Sequence, residues 1–192
     1  MDKGFFIVID GIDGSGKTIH SKLLMDWLKL NRRVLITQEP SNNEIGKLIK
    51  KFLKTNLPSA VDALLFAADR VLHTIEIKKA LEEGKIVISD RYIESSICYQ
   101  GVELDEEWVS TLNKFALIPD LTIILDIDPE IGLKRKEDTS AKFENIPFLT
   151  KVRELFLKRA KKLNYPVITT SKPIEEVQKE IQNYVNALIR GK

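Results

Sequence analysis

The residues with the clearest chemical content are Gly11, Ile12, Asp13, Gly14, Ser15, Gly16, Lys17 and Thr18, which fit the pattern G-x-x-x-x-G-K-[ST]. Glycines at 11, 14 and 16 let the backbone wrap closely, so that its N–H groups can point at phosphate oxygens. Lys17 can then reach the outer phosphates of a nucleotide, and the Thr18 hydroxyl is placed to bind Mg2+. A glycine turn between a strand and a helix is the simpler alternative. The apolar run before the loop, the full eight-residue match and the amphipathic stretch after it weigh together against that alternative.

Such a loop needs a strand to enter it and a helix to leave it. Residues 5–10 (FFIVID) supply the strand, and residues 18–30 repeat apolar side chains at Ile19, Leu23, Leu24, Trp27 and Leu28, at helical spacing. Four further runs rich in β-branched residues, at 34–37, 86–89, 121–126 and 167–170, are also continuous rather than alternating. Strands covered on both faces look like this, so the sequence predicts an α/β domain with a five-stranded parallel sheet flanked by helices. The last helix shows one apolar face at Val177, Ile181, Val185 and Leu188. Two polar segments, 39–44 and 134–142, leave the carboxyl ends of strands, where ligands bind in open α/β sheets.

Composition narrows the classes. In 192 residues, 43% are hydrophobic and 30% charged, which excludes a disordered chain and leaves room for little beyond one domain. Thirty basic against 28 acidic side chains lack the basic excess of a dedicated nucleic-acid binder. One cysteine, Cys98, excludes an internal disulfide framework, and with two histidines it makes a zinc site a poor fit. The apolar runs are strand-sized, and the N-terminus lacks the features of a signal peptide, so the expectation is a cytoplasmic protein without a membrane partner.

Other residues could do chemistry near the loop. Phe66 and Arg70 lie four apart, sharing a helical face with Asp69 and His73, while Leu65, Ala68, Leu72 and Ile75 form an adjacent stripe expected to pack inward. An aromatic ring beside a guanidinium suits a planar base, although a core phenylalanine with a solvated arginine would look the same. Asp90 and Arg91 follow the strand at 86–89 directly; the carboxylate can hold Mg2+ or its waters, and the arginine can grip a phosphate in fork geometry. Asp126, at another strand end, competes for the metal role. A guanine-reading N-K-x-D box is missing: Asn113-Lys114 is followed by Phe115-Ala116.

Taken together, GIDGSGKT, Gln38-Glu39-Pro40, LLFAADR at 64–70, SDRY at 89–92, SSICYQG at 95–101 and Phe143-Glu144 resemble the thymidylate kinase family over essentially the whole chain. The resemblance implies a P-loop three-layer sandwich over residues 1–192, with a lid around 132–145, that transfers a phosphoryl group from ATP to dTMP with Mg2+ and works as a homodimer. It implies that Gly11–Thr18 binds ATP, with Thr18 and Asp90 holding the metal. It also implies that Phe66 stacks thymine, Arg70 bonds its exocyclic oxygen, Arg91 contacts the dTMP phosphate and Asp13 bonds the deoxyribose 3′-hydroxyl. Glu39 and Pro40 resemble the loop that approaches the acceptor. Ser96, Tyr99 and Gln100 resemble the stretch that contacts base and sugar, with Tyr99 crowding out a ribose 2′-hydroxyl.

The chain departs from the family in three places. Gln38 stands where many relatives have arginine, and Lys50 replaces an arginine that contacts the acceptor phosphate, keeping charge but losing the bidentate fork. Gly14 stands where some relatives carry a catalytic arginine; Arg135 on the lid, among lysines 134, 136 and 142, is the candidate for the transition-state contact. A surface or helix-capping arginine is the alternative for Arg135. For the whole chain the alternatives are a related deoxynucleoside or pyrimidine monophosphate kinase, and a nucleotide-binding module without catalysis.

Overall fold

The computed structural model describes residues 3–53, 55, 57–135 and 145–191. Its order is β1 (Phe5–Asp10), α1 (Lys17–Leu28), β2 (Val34–Gln38), α2 (Glu44–Phe52), α3 (Ser59–Glu82), β3 (Ile86–Asp90), α4 (Ile93–Gln100), α5 (Glu106–Leu112), β4 (Leu121–Asp126), α6 (Pro129–Lys134), α7 (Ile146–Leu163), β5 (Val167–Thr169) and α8 (Ile174–Arg190). The five strands form one parallel sheet in the order β2-β3-β1-β4-β5. The expected α/β architecture is therefore present. Residues 136–142 of the polar segment, and with them Phe143-Glu144, lie outside the described residues.

Burial on both faces explains why the strands are continuously apolar. Along β1, Phe5, Ile7 and Ile9 join Leu24 and Leu28 of α1 and Val177, Ile181 and Val185 of α8, while Phe6 and Val8 face Ile77 of α3 and Tyr92 on the other side. A third cluster, with Ile124, Leu149, Val152 and Phe156, fixes α7. β1 is central, with β3 on one side and β4 on the other, so its carboxyl end opens at the point where the strand order reverses. Among the described residues no helix is long and apolar enough to cross a membrane.

Two helices turn differently from the expected faces. On α1 the buried residues are Lys17, His20, Ser21, Leu24 and Leu28, whereas Ile19 and Leu23 are exposed. On α3 the inward face is Ala63, Ala67, Arg70, His73, Thr74 and Ile77, while Leu72 and Ile75 face out, Ile75 with 65% of its surface accessible. Asp69, Arg70, His73 and Thr74 place polar, hydrogen-bonded side chains on this inward face, and Ile77 and Ala80 continue it as an apolar contact with Phe6, Val8 and Val87. Among the described residues nothing covers the stripe containing Leu72 and Ile75.

Candidate active site

The loop after β1 is shaped by its glycines. Gly14 and Gly16 have φ of 76° and 88°, a left-handed region that costs glycine little. Gly16 precedes α1 with no side chain on the first N–H groups, whereas Asn43, Asp105, Asp128 and Asn145 cap α2, α5, α6 and α7. The start of α1 thus keeps its donors and the positive end of its dipole for an anion. Lys17 Nζ donates to the Ile12 carbonyl at 2.7 Å, back across the loop. Ser15 is fully buried beneath it, its N–H donating to the same carbonyl.

Asp10, fully buried at the end of β1, ties this loop to α4. Its Oδ1 accepts from Gly11 N at 2.8 Å and Ser95 Oγ at 2.6 Å; its Oδ2 accepts from Tyr92 N at 3.2 Å and Ser95 N at 2.9 Å. Burial pushes its pKa up, while Arg91, Ser95, Gly11 and Lys17 pull the other way. The four donors fit the ionised form. Sequence reasoning passed over Asp10, although an acidic residue closing an apolar strand is itself a signal.

Arg91 sits between these parts at φ 72°, unusual for a side chain of its size and held by Arg91 N donating to Ile9 O and Ser89 Oγ donating to Arg91 O. Its Nη2 donates to Asp13 Oδ1 at 2.6 Å, its Nη1 to Ser95 Oγ at 3.1 Å, and its guanidinium lies 5.3 Å from the Tyr99 ring centre. Burial works against this charge, but Tyr99, Asp13, Asp10 and Asp90 outweigh it and hold the pKa above the ordinary arginine value. The Tyr99 hydroxyl donates to Asp13 Oδ2 and accepts from Asp13 N, both at 3.1 Å; burial first, then Asp13, raises its pKa, so it stays protonated. Asp13 is therefore held from two sides.

Opposite Arg91, the Thr18 hydroxyl donates to Asp90 Oδ2 at 2.5 Å. Both are hard oxygen ligands of the kind Mg2+ takes alongside phosphate oxygens and several waters. Among the described residues no three His, Cys, Asp or Glu side chains gather into a cluster that could hold a metal ion. Asp126, the rival, is held by Arg153 through two bonds of 2.7 and 2.9 Å.

A cavity of about 740 Å3 gathers Asp13, Gly14, Gly16, Lys17, Thr18, Glu39, Pro40, Lys50, Asp90, Arg91 and Arg135. Gln38, Thr170, Lys172 and Ile174 share its wall and carried no assignment from the sequence. Lys50 Nζ donates to Asn42 Oδ1 at 2.8 Å. Arg135, the residue following α6, donates to Thr170 O at 2.8 Å and Gly14 O at 3.4 Å, joining the loop to the β5–α8 connection.

The base-reading candidates lie beside this cavity rather than on its wall. Arg70 is 1% exposed: Nε and Nη2 donate to Glu39 Oε2 at 2.8 and 2.5 Å, Nη2 also to Tyr92 O and Ser96 Oγ, and Nη1 to Asn113 Oδ1. One Nη1 N–H is left over from these contacts. His73 Nδ1 lies 3.0 Å from Glu39 Oε1 and His73 Nε2 lies 2.7 Å from Thr37 Oγ1. The carboxylate assigns a proton to Nδ1, and the Thr37 hydroxyl, able to donate or accept, pairs with Nε2. Phe66 is half-buried one turn before Arg70, and Gln100 is 3% exposed with its Oε1 unpartnered. His73 shares the Arg70 face but carried no role from the sequence, and Asn113 and Thr37 had no motif to reveal them.

Burial first, then Arg91, lowers the Lys17 pKa to about 8. A polyphosphate bound to the loop favours the charged amine, so the group returns towards its ordinary value. Nucleotide binding above pH 8 should therefore take up a proton, and below about pH 7 it should not. Titration calorimetry of ADP in buffers of different ionisation enthalpy measures this directly. Buffer-independent heats at pH 8.5 would show that Lys17 is charged in the free loop.

With this geometry in place, similarity can be weighed. A family model described as thymidylate kinase matches residues 9–181. A probable thymidylate kinase of Pyrobaculum aerophilum is 47% identical over 193 residues, covering 97% of this chain and 99% of that protein. One from Methanocaldococcus jannaschii is 44% identical over 189 residues, covering 96% and 97%, and one from Thermococcus gammatolerans is 40% identical over 199 residues, covering 95% and 96%. A match of that extent leaves one conclusion: the chain belongs to the thymidylate kinase family.

Proposed function

We propose that the chain transfers the terminal phosphoryl group of ATP to dTMP, giving dTDP and ADP. The observation that carries this reading is the single cavity bounded by Lys17 and Thr18 on one side and Arg91 on the other. A donor triphosphate and an acceptor monophosphate would meet there. The acceptor oxygen is already largely ionised near neutral pH, since the second phosphate pKa is about 6, so no general base is required. The protein's work is alignment and neutralisation of charge. Lys17 leaves the Ile12 carbonyl for the outer phosphates, the N–H groups of Gly14–Thr18 hold the donor, and Arg91 grips the acceptor phosphate. Thr18 and Asp90 would hold Mg2+, which supplies charge neutralisation between donor phosphates when bound. Arg135 serves the donor side, braced between Thr170 and Gly14. We read residues 1–192 as one kinase domain with a lid around 132–145.

Asp13, anchored by Arg91 and Tyr99, is the acceptor for the deoxyribose 3′-hydroxyl, and Tyr99 limits room at the 2′ position. Lys50 supports the acceptor phosphate as a point charge, and Glu39 and Pro40 form the wall beside it. Phe66 stacks the base. The buried Gln100 amide has an atom without a partner, which supports a role opposite the base edge. Arg70 and Ser96 complete that edge. Arginine donates only, so its remaining N–H suits the C4 carbonyl of thymine and rejects the C4 amine of cytosine.

ADP release coupled to Mg·ATP, with dTMP, dUMP, dCMP and thymidine as acceptors, tests the reading. The expected order is dTMP first, dUMP lower by about 10- to 200-fold for one methyl group, and dCMP lower by at least about a hundredfold. Comparable turnover of dCMP or of thymidine would contradict it.

We further infer a homodimer and a cytoplasmic setting. The outward stripe Val61, Leu64, Val71, Leu72 and Ile75 on α3 is apolar at helical spacing and supports pairing with a second copy. Leu72→Glu with Ile75→Glu should halve the mass seen by light scattering while leaving the far-ultraviolet circular dichroism unchanged. A wild-type monomer, or a variant that remains dimeric, would contradict the interface.

A further inference from the structure

We infer that Gly132 is a positioning residue for the donor site: its bare backbone lets α6 sit directly on the Asp13–Gly14 peptide, and this seat fixes Arg135 over the phosphate loop. The inference rests on the reading of Arg135 as a donor-site cation.

The contact is backbone on backbone from both directions. A Cβ on Gly14 would lie 2.0 Å from Gly132 O and 2.6 Å from Gly132 Cα. A Cβ on Gly132 would lie 2.7 Å from Asp13 O and 3.3 Å from Ile127 Cγ2. In each direction the nearest obstacle, the one closer than 3.0 Å, is backbone, so any added carbon has to lift α6 from the loop or push the loop down. Gly14 is doubly constrained, since its φ of 76° also disfavours a side chain.

Arg135 hangs from this seat at both ends. Its backbone N–H donates to Gly132 O at 3.2 Å, and its Nη1 donates to Gly14 O at 3.4 Å. Nη2 donates to Thr170 O at 2.8 Å. The guanidinium is thus located by the two glycines on one side and the β5–α8 connection on the other. Position 14 cannot carry a cation of its own while Gly132 lies against it. The arrangement answers that exclusion: the helix that denies Gly14 a side chain brings a guanidinium to the same peptide. A displacement near 1 Å at such a contact costs up to about a hundredfold in rate.

The test is a double-mutant cycle of Gly132→Ala and Arg135→Ala, with kcat and KM measured for ATP and dTMP. Gly132→Ala alone should lower kcat/KM for ATP by about tenfold or more while KM for dTMP stays within about twofold. In the Arg135→Ala background the same change should add less than about twofold, because the group it positions is gone. A general structural role would lower activity equally in both backgrounds, and that result, or wild-type kinetics for Gly132→Ala, overturns the inference alone. If Arg135→Ala itself leaves ATP kinetics unchanged, the assignment of Arg135 fails first and this inference with it. Should Gly132→Ala not fold, Asp128→Ala loosens the same helix without adding bulk, by removing the cap on Glu130 N at 2.9 Å. It is judged by the same non-additivity with Arg135→Ala.

Discussion

One carboxylate organises the site. Asp10 ends the central strand, and its two oxygens receive the first N–H of the phosphate loop, two backbone N–H groups at the start of α4, and the Ser95 hydroxyl. The donor loop and the Arg91 corner are separate in sequence by some eighty residues (Arg91 Nη1 and Gly11 O are 80 apart), yet they are fixed to the same side chain. A buried carboxylate without these donors would be costly, and unpaired N–H groups at the head of α4 would be costly too. Each side removes the other's penalty. The strained backbone of Arg91 is tolerated because this corner is overdetermined.

The charges are arranged in layers around that anchor. Arg91 is shared between Asp13 and the open cavity, so it has an anionic partner while no phosphate is bound and remains available to one. Lys17 has no comparable carboxylate partner and leans on a carbonyl, which is why burial lowers its pKa. Arg70, deeper still, is consumed by Glu39, Tyr92, Ser96 and Asn113. It works as a strut between α3, α4 and the loop after β2, with one N–H to spare. Breaking such a buried pair by removing one partner is expensive, so α3 is held to the sheet.

The strands were legible because each is buried on both faces, and the phosphate loop because its geometry admits few residue types. The helix faces were less so. Periodicity on α3 pointed Leu72 and Ile75 inward, since the sequence cannot tell an apolar stripe that meets the sheet from one that faces outward. Lys17 and Thr18 could be picked out from the G-x-x-x-x-G-K-[ST] pattern, and Asp90 and Arg91 from their place at the end of a strand. Thr37, Asn113 and Gly132 could not be named in advance, because their value lies in partners 36 to 118 residues away that only the fold brings near: Gly132 lies against Gly14, Asn113 against Arg70, and Thr37 against His73.

Asp10 ties the phosphate loop to the Arg91 corner, and Asp10→Asn tests most directly whether this tie keeps the two in register. The amide keeps the shape but turns a donor towards N–H groups that need an acceptor. With the variant shown to be folded, kcat should fall by about a hundredfold while ADP and dTMP, measured separately, each bind within about tenfold of the wild-type affinity. A folded Asp10→Asn enzyme with wild-type kcat would mean that the two halves of the site are aligned by something else.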